Sequence, residues 1–193
     1  MESYIMTIKV KAIIGSTSST SYNLKLVEHL RKRHADKLEI TPVFINDLEM
    51  FSIDTESTPP ENVQDFKNNV KDSDAVLFAV PEYNFSIPGA MKNAIDWLSR
   101  GGDFTIKEKP AFIVGSSMGV FGSIRAQIHL REILSNPALA PVILPGNEVY
   151  VGSVHTKMNE AGEITDQATI DFLDTVVDNF VEFYNKSKAS ATV

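Results

Sequence analysis

A three-layer α/β sandwich, a five-stranded parallel sheet with helices on both faces, is the fold this sequence predicts. Short apolar, β-branched runs alternate five times with amphipathic stretches of helical period. The third run, Ala75–Val80, is apolar almost without a break, as a central parallel strand covered on both faces requires. Helix-start residues stand where strand runs give way to helical ones, and Gly or Pro stands where the helices stop.

The elements follow in order. Ile8–Ile14 reads as the first strand, ending at Gly15. Ser21 to about His34 reads as a helix, with Leu24, Val27 and Leu30 three apart on one face. Glu39–Phe44 is a weaker strand closed by Asn46–Asp47, and a loop runs on to Thr58. Pro59–Pro60 opens a second helix whose apolar face is Val63, Phe66 and Val70. After the third strand, Pro88 starts a helix that reaches Ser99, before Gly101–Gly102. Ala111–Gly115 is the fourth strand, and Gly122 to Leu134 a helix ended by Pro137. Val142–Leu144 and Val149–Val151 form a fifth strand split by Pro145–Gly146. Thr165 or Asp166 caps the last helix, striped by Ile170, Leu173, Val177, Phe180 and Tyr184. Met1–Met6 and the polar tail Asn185–Val193 are expected to fray. With no repeat, linker or shift of composition, 1–193 reads as one domain. Five strands and five helices suit the flavodoxin-like strand order 2-1-3-4-5, with a Rossmann half carrying an extra strand as the competing arrangement.

Composition narrows the chemistry. A net charge of −7 speaks against a nucleic-acid partner, which would need a basic face. The absence of cysteine removes disulfides, thiolate metal sites, Fe–S clusters and Cys nucleophiles together. No apolar run approaches a membrane span and no signal-peptide pattern opens the chain, so the cytoplasm, with no membrane partner, is the expected setting. His29, His34, His129 and His155 show no metal-ligand spacing. Surface or packing roles are expected for them, and no metal site.

In an open parallel sheet, ligands bind beyond the carboxyl ends of the strands at the switch point of strand order. That rule selects three loops. The first, Gly15-Ser16-Thr17-Ser18-Ser19-Thr20-Ser21-Tyr22-Asn23, sets hydroxyl residues between a strand end and a helix N-terminus. Free N–H groups and the helix dipole there suit an anion. The loop is neither a Walker A sequence nor Gly-x-Gly-x-x-Gly, so one terminal phosphate suits it better than a pyrophosphate. The same composition also suits a plain capped loop. The second, Pro81-Glu82-Tyr83-Asn84-Phe85-Ser86-Ile87-Pro88-Gly89, carries aromatics able to lie beside a planar ring or to fold back as a core plug. The third, Ser116-Ser117-Met118-Gly119-Val120-Phe121-Gly122-Ser123, allows close backbone approach at its glycines.

The stretch Pro81-Glu82-Tyr83-Asn84-Phe85-Ser86-Ile87-Pro88-Gly89-Ala90-Met91-Lys92-Asn93-Ala94-Ile95-Asp96-Trp97-Leu98-Ser99 closely resembles the signature of the NADPH-dependent FMN reductase family, which includes flavin, quinone, azo-dye and chromate reductases. Gly15-Ser16 through Asn23 and Gly119-x-x-Gly122-x-x-Arg125-Ala126 resemble the same family's other two ligand segments. The resemblance implies a flavodoxin-like fold, one non-covalent FMN, NAD(P)H as co-substrate, a small electron acceptor, and a homodimer or homotetramer. Carried over by position, Ser16, Ser18, Ser21 and Asn23 hold the phosphate, with Thr17 and Tyr22 of the same loop beside them. Pro81, Glu82, Tyr83 and Asn84 line the ribityl chain and ring, and Ser117 and Gly119 reach the ring's other edge. Trp97 is expected in the core or an interface rather than against the ring. Many members have arginine where this chain has Ser18 and a second glycine where it has Ser123.

The cofactor carries the hydride chemistry, so no catalytic triad or dyad is expected. The implied sequence is ping-pong: nicotinamide reduces the flavin and leaves, and an acceptor takes its place. Backbone N–H groups of residues 117–119 are the expected donors at the electron-rich edge of the ring. Two other readings share the fold: a flavodoxin-type electron carrier that oxidises NAD(P)H poorly, and a non-enzymatic module binding a partner or another nucleotide.

Overall fold

In the computed structural model, which describes residues 7–190, β1 (Ile8–Ile14), β2 (Leu38–Val43), β3 (Ala75–Ala79) and β4 (Pro110–Ser116) lie parallel in the order β2-β1-β3-β4. Two short strands share the lane beyond β4. The strand β5 (Val142–Ile143) pairs with Pro110 and Ala111, and β6 (Val149–Val151) pairs with Val114, Gly115 and Ser116. Between them the chain leaves the sheet through Pro145 and Gly146, where the split was expected; proline lacks the N–H a ladder needs. The order is the flavodoxin-like one, and the Rossmann alternative is set aside.

The pleat sorts the core into two clusters. Ala75, Leu77 and Ala79 of β3 face α1 (Tyr22–Arg33) and α5 (Gln167–Ser190), where Leu26, Val27, Leu30, Leu173, Val177 and Phe180 are buried. Val76 and Phe78, with Val80 just beyond, face α2 (Glu61–Lys71), α3 (Gly89–Leu98) and α4 (Ile124–Leu134). The rings of Phe112 and Phe180 meet at 4.4 Å on the first face. Trp97 of α3 is buried and donates Nε1–H to the Glu49 carbonyl at 2.8 Å, the first of the two places, core or interface, expected for it.

Boundaries differ where tertiary contacts outvote local pattern. Leu26, not Leu24, completes the buried stripe of α1, and Leu24 is only half-buried. The helix α4 starts at Ile124 rather than Gly122, because Gly122 and Ser123 both take positive φ, +58° and +71°. Asn185–Ser190 continues α5 instead of fraying. Phe183 and Tyr184 pack against the core there, and Lys186 pairs with Glu182 one turn back. Residues 1–6 and 191–193, expected to fray, lie outside the described residues. Among the described residues no helix is long and apolar enough to cross a membrane.

His34, expected near an exposed helix face, is instead buried at the C-cap of α1. Its neighbours there are ion pairs: Arg33 grips Asp174 with two bonds of 2.5 and 2.6 Å, and Lys37 reaches Asp178 at 2.6 Å. His34 Nε2 lies 3.2 Å from Asp174 Oδ1 but is not aligned for a hydrogen bond. Burial holds the His34 imidazole below its ordinary pKa despite that carboxylate, and burial with the Arg33 charge does the same to His29. The unfolded chain therefore binds more protons near pH 6, so this stability is present above pH 6.5 and lost as pH falls through it. Asp174, held low first by its Arg33 hydrogen bonds, stays ionised throughout that window. Thermal midpoints should fall between pH 7.5 and 5, and less steeply for His34→Gln; an equal slope would mean that His34 takes its proton as readily folded as unfolded.

Candidate functional site

The three loops selected by the strand order converge at the carboxyl ends of β1, β3 and β4. They enclose a cavity of about 360 Å³, within the usual range for a small-molecule site. A larger groove of about 640 Å³ runs along the flank of α1 beside Gly162 and Glu163. It is away from the switch point and lined by charges of both signs, so the smaller cavity is the candidate.

The first loop builds an anion cradle from neutral groups. Gly15 admits the turn: a Cβ there would sit 2.7 Å from Met91 Sδ and 2.9 Å from the Ala79 carbonyl. Ser16 Oγ accepts from Ser18 N–H at 3.2 Å, Ser18 Oγ from Thr20 N–H at 3.3 Å, and Ser21 Oγ caps α1 through Leu24 N–H at 3.2 Å. Among the described residues, the N–H groups of Ser16, Tyr22 and Asn23, all of which line the cavity, carry no acceptor. Donors left free at the positive end of a helix dipole are what a phosphate needs. Among the described residues no lysine or arginine lines the cavity. With serine at position 18, charge neutralisation falls to the backbone.

Asn23 has a different task from the one its position implied. Its Nδ2 donates to the Ser116 carbonyl at 3.1 Å and its Oδ1 accepts from Ser116 N–H at 2.9 Å. This buried two-way pair ties the start of α1 to the end of β4, and leaves the backbone N–H of Asn23 as its contribution to the cradle. Beside it, Ser116 lines the cavity, and its Oγ is buried with no hydrogen-bond partner among the described residues.

The second loop closes on itself. Tyr83 and Ser86 exchange both backbone hydrogen bonds, at 2.9 and 3.0 Å, across Asn84 and Phe85, whose φ values are +51° and +66°. That is a two-residue primed turn. Phe85 is 69 % exposed, so the core-plug reading is set aside, and Tyr83 stands half-exposed at the cavity rim. The Glu82 carboxylate is committed elsewhere: Oε2 accepts from the N–H groups of Arg125 at 3.0 Å and Ala126 at 3.3 Å. It caps α4, a job that Ser123 at the N-cap position leaves undone. Ser123 holds a left-handed conformation that suits glycine, its hydroxyl bonded by Gln127 Nε2 at 3.2 Å.

In the third loop, Ser117 N–H goes to the Val151 carbonyl at 3.0 Å and Gly119 N–H to Ser117 Oγ at 3.0 Å. Of the three donors expected at residues 117–119, Met118 N–H is the one without an acceptor among the described residues.

Of the residues singled out from sequence, Ser16, Ser18, Ser21, Tyr22, Asn23, Pro81, Glu82, Tyr83 and Ser117 line the cavity. Thr17, Asn84 and Gly119 do not. The Thr17 carbonyl is turned to Asn46 Nδ2 at 3.1 Å, Asn84 sits at the exposed turn, and the Gly119 N–H folds back on Ser117. Three lining residues were missed: Thr20, Ser116 and Met118. Thr20 belongs to the hydroxyl run and was recoverable from it; the orphaned hydroxyl of Ser116 had no sequence signal.

A flavodoxin-like sheet with a phosphomonoester cradle at its switch point and an aromatic rim opposite defines a mononucleotide-binding α/β protein. The cradle fits the phosphate of FMN. The chain belongs to the NADPH-dependent FMN reductase family, whose profile matches residues 8–156. It is 38 % identical over 185 residues to the NADH-dependent flavin reductase subunit 2 of Lactobacillus johnsonii, covering 94 % of this chain and 100 % of that protein. It is 34 % identical over 185 residues to a quinone reductase of Escherichia coli strain K12, covering 94 % and 97 %. Among solved structures it is similar to FerB, a flavoenzyme NAD(P)H:(acceptor) oxidoreductase from Paracoccus denitrificans, with TM-score 0.85 and 36 % identity over 94 % of this chain and 99 % of that one. The protein is an FMN-dependent oxidoreductase with NAD(P)H as co-substrate.

Proposed function

We propose that this enzyme passes reducing equivalents from NAD(P)H to flavins, quinones or similar small acceptors in a ping-pong sequence, both substrates using the same mouth. The observation that carries the reading is the rim. Tyr83 and Met118 are exposed beside the cavity rather than folded over it, leaving one broad opening between them. Relatives named for flavin and quinone reduction support the acceptor class. Bound FMN supplies the two-electron chemistry. The chain's own part is to hold and orient: the free N–H groups of the first loop take the phosphate, and Met118 N–H is left to stabilise negative charge at the ring edge. Tyr83 flanks the face on which a flat substrate settles.

Stopped-flow reduction of the FMN-reconstituted protein by NADPH and NADH tests this. Rapid bleaching of the flavin band, reversed by a quinone, is expected. Bound flavin that fails to bleach would favour the electron-carrier reading, and failure to bind FMN would remove the site. Tyr83→Ala should slow reduction roughly tenfold, the size of one lost aromatic contact, with FMN retained; an unchanged rate takes Tyr83 out of the site.

The same reading includes a homodimer or homotetramer. Phe85, Met118, Val120, Phe121 and Ile128 are all more than half exposed, on the second and third loops and the adjoining α4. Apolar surface of that kind marks an interaction face. Light scattering at micromolar concentration should give at least twice the 21.3 kDa chain mass, and a monomer would count against this part of the reading.

A further inference from the structure

The turn that carries Tyr83 is held in an unfavourable conformation by contacts from α4. A primed turn needs positive φ at both central residues; Asn84 tolerates this, whereas Phe85, a bulky side chain at φ +66°, does not do so readily. Phe85 is largely in solvent and gains little burial in return. Besides the Glu82 carboxylate that ties the preceding residue to α4, two links from outside the loop reach the turn's own residues. The Arg125 guanidinium lies 4.2 Å from the Phe85 ring centroid, and Ser86 Oγ shares a 2.7 Å hydrogen bond with His129 Nδ1. His129 stands one helical turn beyond Arg125 on α4, so both anchors come from one rigid element. Neither Ser86 nor His129 lines the cavity, and no hydrogen bond to the Tyr83 side chain is present among the described residues. The orientation of Tyr83 is therefore set through the turn.

We propose that His129, acting through Ser86, is a positioning residue for co-substrate binding: it locks the Tyr83–Ser86 turn so that Tyr83 is presented ready-ordered at the mouth. This rests on the reading that NAD(P)H enters at that mouth. FMN affinity, dominated by the first loop, is independent of the lock. The chemistry also specifies which atom matters. Asparagine places its amide where Nδ1 of histidine lies, and glutamine places it near Nε2, so only the former can replace the bond to Ser86.

The test is the reductive half-reaction of FMN-reconstituted enzyme carrying His129→Ala, Ser86→Ala, both together, His129→Asn or His129→Gln, with the FMN Kd and thermal midpoint of each. Loss of one such bond should weaken NAD(P)H binding roughly three- to tenfold, with the limiting reduction rate less affected and the FMN Kd within twofold of wild type. The double variant should be no worse than either single one, because both remove the same bond. His129→Asn should restore wild-type binding and His129→Gln should not. Variants with wild-type NAD(P)H affinity would overturn the proposal, as would additive effects or rescue by glutamine equal to that by asparagine. A wild-type enzyme that is not bleached by NAD(P)H would instead sink the functional reading, so the two failures are distinguishable.

Discussion

Ser21→Asp is expected to leave the fold intact and to weaken FMN binding by about two orders of magnitude. Aspartate replaces serine well at a helix N-cap and favours the dipole there. The bond now made by Ser21 Oγ to Leu24 N–H survives in kind. What changes is the charge beside the phosphate. Two unit charges about 4 Å apart interact by about 4 kcal/mol at an effective dielectric near 20. The phosphate is close to a dianion, but solvent at the open mouth screens part of the repulsion. A residual penalty of about 2–4 kcal/mol corresponds to roughly 30- to 1,000-fold in Kd. Titration of flavin fluorescence measures it, and a thermal midpoint near wild type shows that the helix is still capped. Undiminished affinity would mean that the phosphate is not held at this helix end.

Gly115→Ala should cost about 3 kcal/mol of stability or more, toward the upper end for an overpacked core position. The added Cβ would overlap Ser123 Oγ and come within 2.6 Å of Gln127 Nε2 and 2.7 Å of the Val80 carbonyl. None can yield easily: Ser123 and Gln127 are buried and bonded to one another, Gln127 also holds the Val149 carbonyl at 2.8 Å, and Val80 contributes backbone. Relief would have to come from moving α4 off the sheet, which also pulls on the cap supplied by Glu82. Urea denaturation gives the loss directly. Gly89→Ala is the matched control, because a Cβ there meets nothing within 4 Å at the start of α3. It should be neutral or slightly stabilising, since alanine leaves the unfolded chain less freedom. Equal stability of the two variants would refute the close seating of α4 on β4.

Both expectations depend on features with different visibility in the sequence. The cap at Ser21 is local: a hydroxyl before an amphipathic run is legible without any structure, and the hydrogen bond it makes spans three residues. The crowding at Gly115 is not, because a glycine inside an apolar strand announces only that something approaches closely. Trp97 was legible as a core or interface residue from its place on α3 and is buried, whereas His34, polar and at a helix end, was expected outside and is buried against α5.

The sequence by itself determined the alternation of strands and helices, the two helical layers, the three loops at the strand ends and the hydroxyl run in the first of them, while the flavodoxin-like strand order was set apart from its Rossmann competitor only by the structure. Periodicity, capping and turn chemistry act over a few residues, so they are written in consecutive letters. Only the tertiary structure decided which polar groups remain free for a ligand. Asn23 is taken by Ser116 from 93 positions away, Glu82 is drawn to α4 from 43 positions away, and of three expected donors Met118 N–H alone has no acceptor among the described residues. A buried polar group pairs with whatever the fold brings within about 3 Å, and that neighbour is set by the packing of the whole sheet, not by the residues beside it in the chain.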